Sequence, residues 1–481
     1  MTPRIVVIGG GIAGLAAAHR LLVCAEKGGV RPGVTLLEAT PRLGGAIRTE
    51  HVQGFLLEGG PDSFLTEKPW ALELARALGL ERHLVGTNDA FRRTYVARGG
   101  KLHPLPDGFL LLAPTKFWPF ATSGLFSWWG KLRMAAEVLL PRGGSGADES
   151  LASFVERRFG REAVERIAQP LVGGIYLADA RRLSLRATMP RFLAMEEQQR
   201  SVILAMRAQA RAGRTTGSGA RWSLFASFDQ GLQLFVDTLA QRLSKAEVRC
   251  STTVARIERQ RELWRVLTRD GEVLEADAVI LAVPAPRAAA LLDTAAPALA
   301  QRLSRIETIP SLTVNLAYPA GALQTAVSGF GVVIPRTERL HTWACTLSHL
   351  KYPYRAPDGT ILIRAFLGGS EERPLMDWED EQLVRCVRQE LEPLLGIDAP
   401  PLLARIHRYP ETMPLYEVGH LEKVRAIEEL IAREPTLALA GNSYRGVGLP
   451  DCIHSGHQAA DRVWHALSAR ARRDDFVVAG R

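Results

Sequence analysis

The amino-acid sequence predicts an α/β fold, a parallel sheet flanked by helices, on three observations near its start. Residues 4–8 are a short β-branched apolar run that reads as a fully buried strand. They lead into Gly9-Gly10-Gly11-Ile12-Ala13-Gly14 and then into a helical pattern at 15–22. A second apolar run, 34–37, ends in Glu38. Strand, glycine turn, helix, strand and acid, in that order, make a dinucleotide-binding unit.

Each residue type has a task there. Gly9 makes the tight turn, Gly11 lets backbone N–H groups approach a pyrophosphate, and Gly14 lets the helix close on the strand. The helix N-terminus supplies positive potential. Glu38 stands where a carboxylate accepts both hydroxyls of a ribose. Arg42-Leu43-Gly44-Gly45 follows at once, with Arg48 and Thr49 after it. The second glycine pair lets the chain pass close under the cofactor, and a nearby arginine can neutralise phosphate.

Bulk properties bound the rest. A chain of 481 residues can bury a large core and divide into two or three domains. With 47% hydrophobic and 23% charged residues it reads as a globular protein rather than a disordered one. The net charge of +9 favours anionic ligands or anionic membrane surfaces. No basic run with interleaved aromatics points to nucleic acid. Cys24, Cys250, Cys345, Cys386 and Cys452 are scattered and never form a CxxC pair, which argues for reduced thiols in a cytoplasmic setting. No signal-peptide pattern precedes the first strand.

Residues 108–129 are apolar, aromatic and about long enough to span a membrane, but Pro114, Lys116 and Pro119 interrupt them. An interfacial patch of Trp118, Phe120, Phe126, Trp128 and Trp129 fits better, with Lys116, Lys131 and Arg133 meeting lipid phosphates. The alternative is a loop packed on the protein itself.

Further along, 55–58 reads as a strand ending in a glycine turn, with Asp62 or Ser63 capping a helix that begins near Pro69. The region 92–210 reads as mostly helical, and 211–219 as a polar, glycine-rich linker. Strands are expected at 248–257, 263–268 and 279–283, and strand-rich sequence at 312–367. A charged amphipathic helix is expected at 379–395. The chain closes with a strand at 437–440, a glycine loop, a helix at 451–469 and a tail without structure. There is no catalytic triad and no metal-ligand spacing; His454 and His457 at i, i+3 do not make one.

GGPDSF (59–64), GGIYLAD (173–179), FGVVIP (330–335), FLGG (366–369), MPLYEVGHL (413–421) and GNSYRGVGLPDCI (441–453) are more specific. Through them the chain resembles the protoporphyrinogen oxidase family, within the flavin amine oxidase superfamily, over about residues 4–467. Departures are Asp62, where Asn or Arg is common, Leu177-Ala178 for Ala-Gly, Leu415 for Gln, and Ala46 for Arg.

The resemblance implies a glutathione-reductase-type FAD-binding domain from 1–91, 225–300 and 411–481. It also implies a helical, membrane-associating subdomain at 92–210 and a substrate-binding α+β domain at 301–410. FAD would lie against Gly9 to Gly14, Glu38, Ala39, Arg42, Gly44, Gly45, Ala46, Gly60, Pro61, Asp62, Ser63, Val254, Gly441, Val447, Gly448 and Leu449. Substrate would meet Arg93 through a propionate, Val333, Thr346 and Phe366 through the macrocycle, and Gly174 at a close backbone approach.

The implied reaction is six-electron, flavin-centred oxidation of protoporphyrinogen IX by dioxygen, giving hydrogen peroxide, with no protein base required. Alternatives are coproporphyrinogen III, an amine or carotenoid substrate, or a flavin-fold escort protein without activity. Peripheral contact with the inner face of the cell membrane, and a homodimer, complete the expectations.

Overall fold

The computed structural model describes residues 2–28, 32–110, 113–114, 116–143, 146–211 and 224–479. The expected linker at 211–219 falls, after Arg211, outside the described residues. At the centre is a five-stranded parallel sheet in the order Glu247–Arg249, Gly33–Leu37, Arg4–Ile8, Ala278–Leu281, Leu437–Leu439. Alternation along Arg4–Ile8 divides two cores. Ile5 and Val7 face the helices Ile12–Gly28, Gln233–Arg242 and Leu449–Ala479. Val6 and Ile8 face the helices Ala285–Leu292, Pro297–Leu303 and His420–Ile431. Both faces are covered, which is why the strand reads as a continuous apolar run.

The sequence segment 248–257 is not one strand. It divides into Glu247–Arg249, on the parallel sheet, and Val254–Gln260, which begins a separate antiparallel sheet of three strands. Ser251, at φ 55°, sits in the turn between them.

A seven-stranded sheet forms the second layer, in the order Leu403–Pro414, Thr308–Pro319, Thr360–Gly368, Ala344–Leu347, Gly331–Val333, Thr94–Arg98, Lys101–Pro104. The last two strands correct the helical expectation for the start of 92–210. They form a hairpin closed by Gly99 and Gly100, both at positive φ (56° and 72°), as a tight two-residue turn requires. One face of the sheet, with Leu312, Val314, Ile363, Ala365 and Cys345, packs on Leu383, Val387 and Leu391 of the helix Asp380–Leu395. That helix starts with a capping box between Glu379 and Gln382.

The helical remainder, from Phe117–Thr122 to Val202–Arg211, has its own core. Its buried Arg158 and Glu137 pair with each other, and Glu137 Oε1 also accepts from the Val202 N–H at 2.9 Å. Val164–Gly173 is wound as a π-helix containing Pro170. Gln169 inside it binds the Ala178 carbonyl and the Ala180 N–H, so it pins the turn that follows Gly174.

Phe120 and Phe126, expected on an exposed patch, are buried against one another at 5.5 Å. Lys131 donates to the Ala121 carbonyl, and Arg133 to those of Arg157 and Arg158, so neither is free for lipid phosphate. Trp118, Trp128 and Trp129 are 75%, 73% and 82% exposed, which leaves a tryptophan patch in place. Among the described residues, no helix is long and apolar enough to cross a membrane. The closing helix runs on to Ala479, so the tail expected to lack structure from 470 continues it.

Candidate active site

The first glycines are demanded by their neighbours. Gly9 has φ 109°, and a Cβ there would lie 2.4 Å from the Ala282 carbonyl oxygen. A Cβ on Gly14 would lie 1.9 Å from the Gly9 carbonyl oxygen, so helix and strand meet only because it is absent. Gly11 differs, since a Cβ there would meet nothing within 4 Å. Its glycine is explained by an approaching ligand, not by packing. The first N–H groups of the helix Ile12–Gly28, which starts next to Gly11, have no intrahelical partner.

The second glycine pair lies against the first. Gly44 donates to the Gly10 carbonyl at 2.8 Å, and Gly45 has φ 59°. Arg42 does not reach out to phosphate: its guanidinium binds the carbonyls of Leu43, Gly45 and Ile47 and so shapes this loop. Arg48, which could replace the arginine lacking at Ala46, pairs with Glu50 at 2.7 Å. Glu38 Oε2 accepts from the Gly10 N–H at 2.7 Å, and Oε1 from Thr40, which aims the carboxylate across the turn. Ala39 is exposed beside it. The Glu38 backbone is bonded to Arg249 and Thr252, which brings Val254 into the same corner.

Across the sheet, Gly441 has φ 122° and open space where a Cβ would stand. Gly446 N–H donates to the Tyr416 hydroxyl at 2.7 Å, and that hydroxyl donates to the Asn442 carbonyl at 2.6 Å. This holds the loop carrying Val447, Gly448 and Leu449. Asp451 beside Gly448 is bound by Lys68 at 2.7 Å. All these pieces gather at the carboxyl ends of Arg4–Ile8 and Ala278–Leu281, where the strand order reverses direction. Open backbone at Gly11 and Gly441, the glycine loop and the aimed acid fit a dinucleotide.

A buried charge cluster joins this cradle to the seven-stranded sheet. Asp62 caps no helix: the helix Trp70–Ala77 begins at Pro69 without a side-chain cap. Instead Asp62 binds Lys351 Nζ at 2.8 and 2.9 Å, Ser63 Oγ at 2.8 Å and Arg364 at 3.1 Å. Burial alone would raise its carboxyl, but Arg364 and Lys351 hold it well below the usual carboxylate range. Burial pushes the Lys351 ammonium down, against the pull of Asp62. Next door, Arg355 binds Glu58 at 2.8 Å and Ser227 at 2.9 Å. Arg364 also donates to the Gly60 carbonyl, while Thr313 and Asn315 bind those of Gly59 and Glu58. Asn315 Oδ1 and Arg364 Nε stay buried without a hydrogen-bond partner. Pro61, in the same turn, is half-buried.

Ladder register places three of the expected substrate residues together. Val333 pairs with Ala344, Ala344 with Phe366, and Phe366 with Thr313; Thr346 pairs with Arg364. Val333, Thr346, Phe366 and Arg364 therefore share one face, opposite the helix-covered one. The first three are half-buried while their neighbours Val332, Cys345 and Ala365 are fully buried. Gly174 is at the start of a turn that reaches this sheet, where Leu177 contacts Gly368 and Gly369. Arg93 is not brought to the face. It is exposed, and it binds Ser328 together with Tyr95, whose ring lies in the opposite core. Arg364 on this face, and Lys351, which shares Asp62 with it, are cations that sequence reading missed.

Comparison with known proteins fits this geometry. The family model for flavin containing amine oxidoreductase matches residues 12–464. The chain is 36% identical over 462 residues to Coproporphyrinogen III oxidase of Bacillus subtilis (strain 168), covering 95% of this chain and 97% of that one. It is 33% identical over 489 residues to Protoporphyrinogen oxidase of Bos taurus, covering 96% and 98%. The crystal structure of "Putative protoporphyrinogen oxidase" from Exiguobacterium sp. 255-15 superposes with TM-score 0.85 at 32% identity, covering 96% and 99%. Reduced UDP-galactopyranose mutase shares the fold, with TM-score 0.69 at 17% identity.

The chain belongs to the flavin-containing amine oxidoreductase family and, within it, to the porphyrinogen oxidases. It is a flavin-dependent oxidoreductase with FAD as cofactor.

Proposed function

We propose that this chain oxidises coproporphyrinogen III to coproporphyrin III, with dioxygen as the terminal acceptor and hydrogen peroxide as by-product. The observation that carries this choice is its likeness to relatives bearing that substrate in their name, Bacillus subtilis and Propionibacterium freudenreichii among them, at 36% and 35% identity. Protoporphyrinogen IX is the second reading, favoured by the likeness to the Bos taurus enzyme.

When bound, FAD supplies a two-electron acceptor for carbon-bound hydrogen. Gly9 to Gly14, Glu38, Gly44, Gly45, Gly60 and Gly441 to Leu449 hold it in this reading. Val333, Thr346 and Phe366 offer a flat wall suited to a macrocycle. Among the described residues, Lys351, Arg355 and Arg364 pair with two carboxylates, Asp62 and Glu58, so the junction carries surplus positive charge. That surplus favours a substrate bearing carboxylates. Neutralising a proton needs no side chain, because pyrrole nitrogens and solvent accept it.

The exposed tryptophans Trp118, Trp128 and Trp129, with Leu132 and Leu139, support attachment to a membrane surface from the cytoplasmic side. The five cysteines, all free thiols, agree with a reducing compartment.

The test uses purified protein in air with each porphyrinogen separately, following porphyrin fluorescence. Yellow protein with faster fluorescence from coproporphyrinogen III supports the proposal. A preference for protoporphyrinogen IX moves it to the second reading, and yellow protein inert to both overturns both.

A further inference from the structure

We propose that His341, Cys386 and Glu390 form a binding site for a divalent transition metal, zinc by preference. It lies where the helix Asp380–Leu395 packs beside the loop leading into the strand Ala344–Leu347. One donor atom from each residue lies within 4.8 Å of the other two. Imidazole, thiolate and carboxylate are the ligand types that zinc takes, leaving one position for water. Cys386 and Glu390 are four apart on one helix, and His341 is brought in by the fold. This is why no local spacing announced the site.

The surroundings are built for it. Glu390 is already aimed, accepting the His341 N–H at 2.7 Å through Oε1 and the Thr342 N–H at 2.9 Å through Oε2. Cys386 Sγ lies 3.7 Å from Glu390 Oε1. Glu372 Oε2 lies 2.6 Å from His341 Nδ1, and a carboxylate on one imidazole nitrogen is the usual outer partner of a metal-binding histidine. The Thr342 hydroxyl, only 1% exposed, has no hydrogen-bond partner.

The site is electronegative: Glu390 and Glu372 adjoin Cys386, and Arg336, bound to Glu372 at 3.0 Å, is shared with Glu371 at 3.2 Å. Without metal, burial and the neighbouring carboxylates push the Cys386 thiol up to about 12, so binding must displace its proton. A bound ion would staple the helix to the strand that carries Thr346.

The experiment titrates metal-free, full-length protein with cobalt(II) and then zinc. The expected result is one equivalent of cobalt with a thiolate charge-transfer band in the near ultraviolet, displaced by zinc. Cys386→Ser should abolish the band, His341→Ala should weaken cobalt binding, and Glu372→Gln should weaken it ~10–100-fold. Absence of the band in the parent protein, or its persistence in Cys386→Ser, overturns the site. If Cys386→Ser fails to fold, alkylation of Cys386 in the parent decides. Slowing by zinc supports the site, and an unchanged rate overturns it.

Discussion

Lys351 and Asp62 lie 289 residues apart in the chain and touch in the fold. Pairing over that distance leaves no periodicity or spacing to read, so Asp62 looked like a helix cap and Lys351 like nothing at all. Arg93 illustrates a related point, that an arginine beside a strand can serve either face and only the register decides. Lys351→Met leaves Asp62 to Arg364 and Ser63, so it should destabilise the protein by about 1–3 kcal/mol, less than stranding a lone buried charge, read as a lowered thermal midpoint. His457 makes a second residue-scale case. Half-buried where the closing helix meets Ile12–Gly28, its imidazole is pushed down to about 4 by burial, with Arg20 and His19 adding to it. An unfolded histidine titrates near 6.5, so the unfolded chain takes the proton first as pH falls. Stability is therefore intact above about pH 6.5 and drops by about 1–3 kcal/mol toward pH 4. His457→Gln should flatten that part of the stability curve in denaturant titrations.

Elements were read most securely where one periodicity ran unbroken. The strand Arg4–Ile8, the glycine turn and the helix Asp380–Leu395 declare themselves because burial on both faces, tight backbone approach and an amphipathic stripe each leave a local pattern. The hairpin at 94–104 lies in a region whose overall pattern reads as helical, although Gly99-Gly100 stands between two short β-prone runs. The break at 250–253 carried no glycine or proline to mark it. At this scale the glycine turn separates binding from folding. Gly14→Ala should disrupt the packing of helix on strand and lower stability along with flavin retention. Gly11→Ala should leave the apoprotein's melting temperature within about 1 °C, given its open surroundings, yet lower FAD affinity, measured by flavin release on dilution.

Across the whole molecule, two sheets meet through a charged seam, and a helical part presents tryptophans outward. Aromatic density made the patch legible in the sequence, but which rings turn inward depended on packing, and Phe120 and Phe126 went to the core. Replacing Trp118, Trp128 and Trp129 with serine should leave the turnover of soluble substrate unchanged. Co-sedimentation with anionic vesicles should fall at least ~10-fold, since each ring buries substantial apolar area at an interface. Equal sedimentation of parent and variant would remove the membrane from the proposal.

The cradle's two halves come from opposite ends of the chain. Gly456 of the closing helix packs so tightly on Ile12–Gly28 that a Cβ there would stand 2.2 Å from the Ala13 carbonyl oxygen. During synthesis, then, the opening βαβ unit leaves the ribosome hundreds of residues before its partner helix. The emerging polypeptide therefore keeps that face of Ile12–Gly28 uncovered until residues 449–479 are translated, and firm capture of the cofactor is expected only after that.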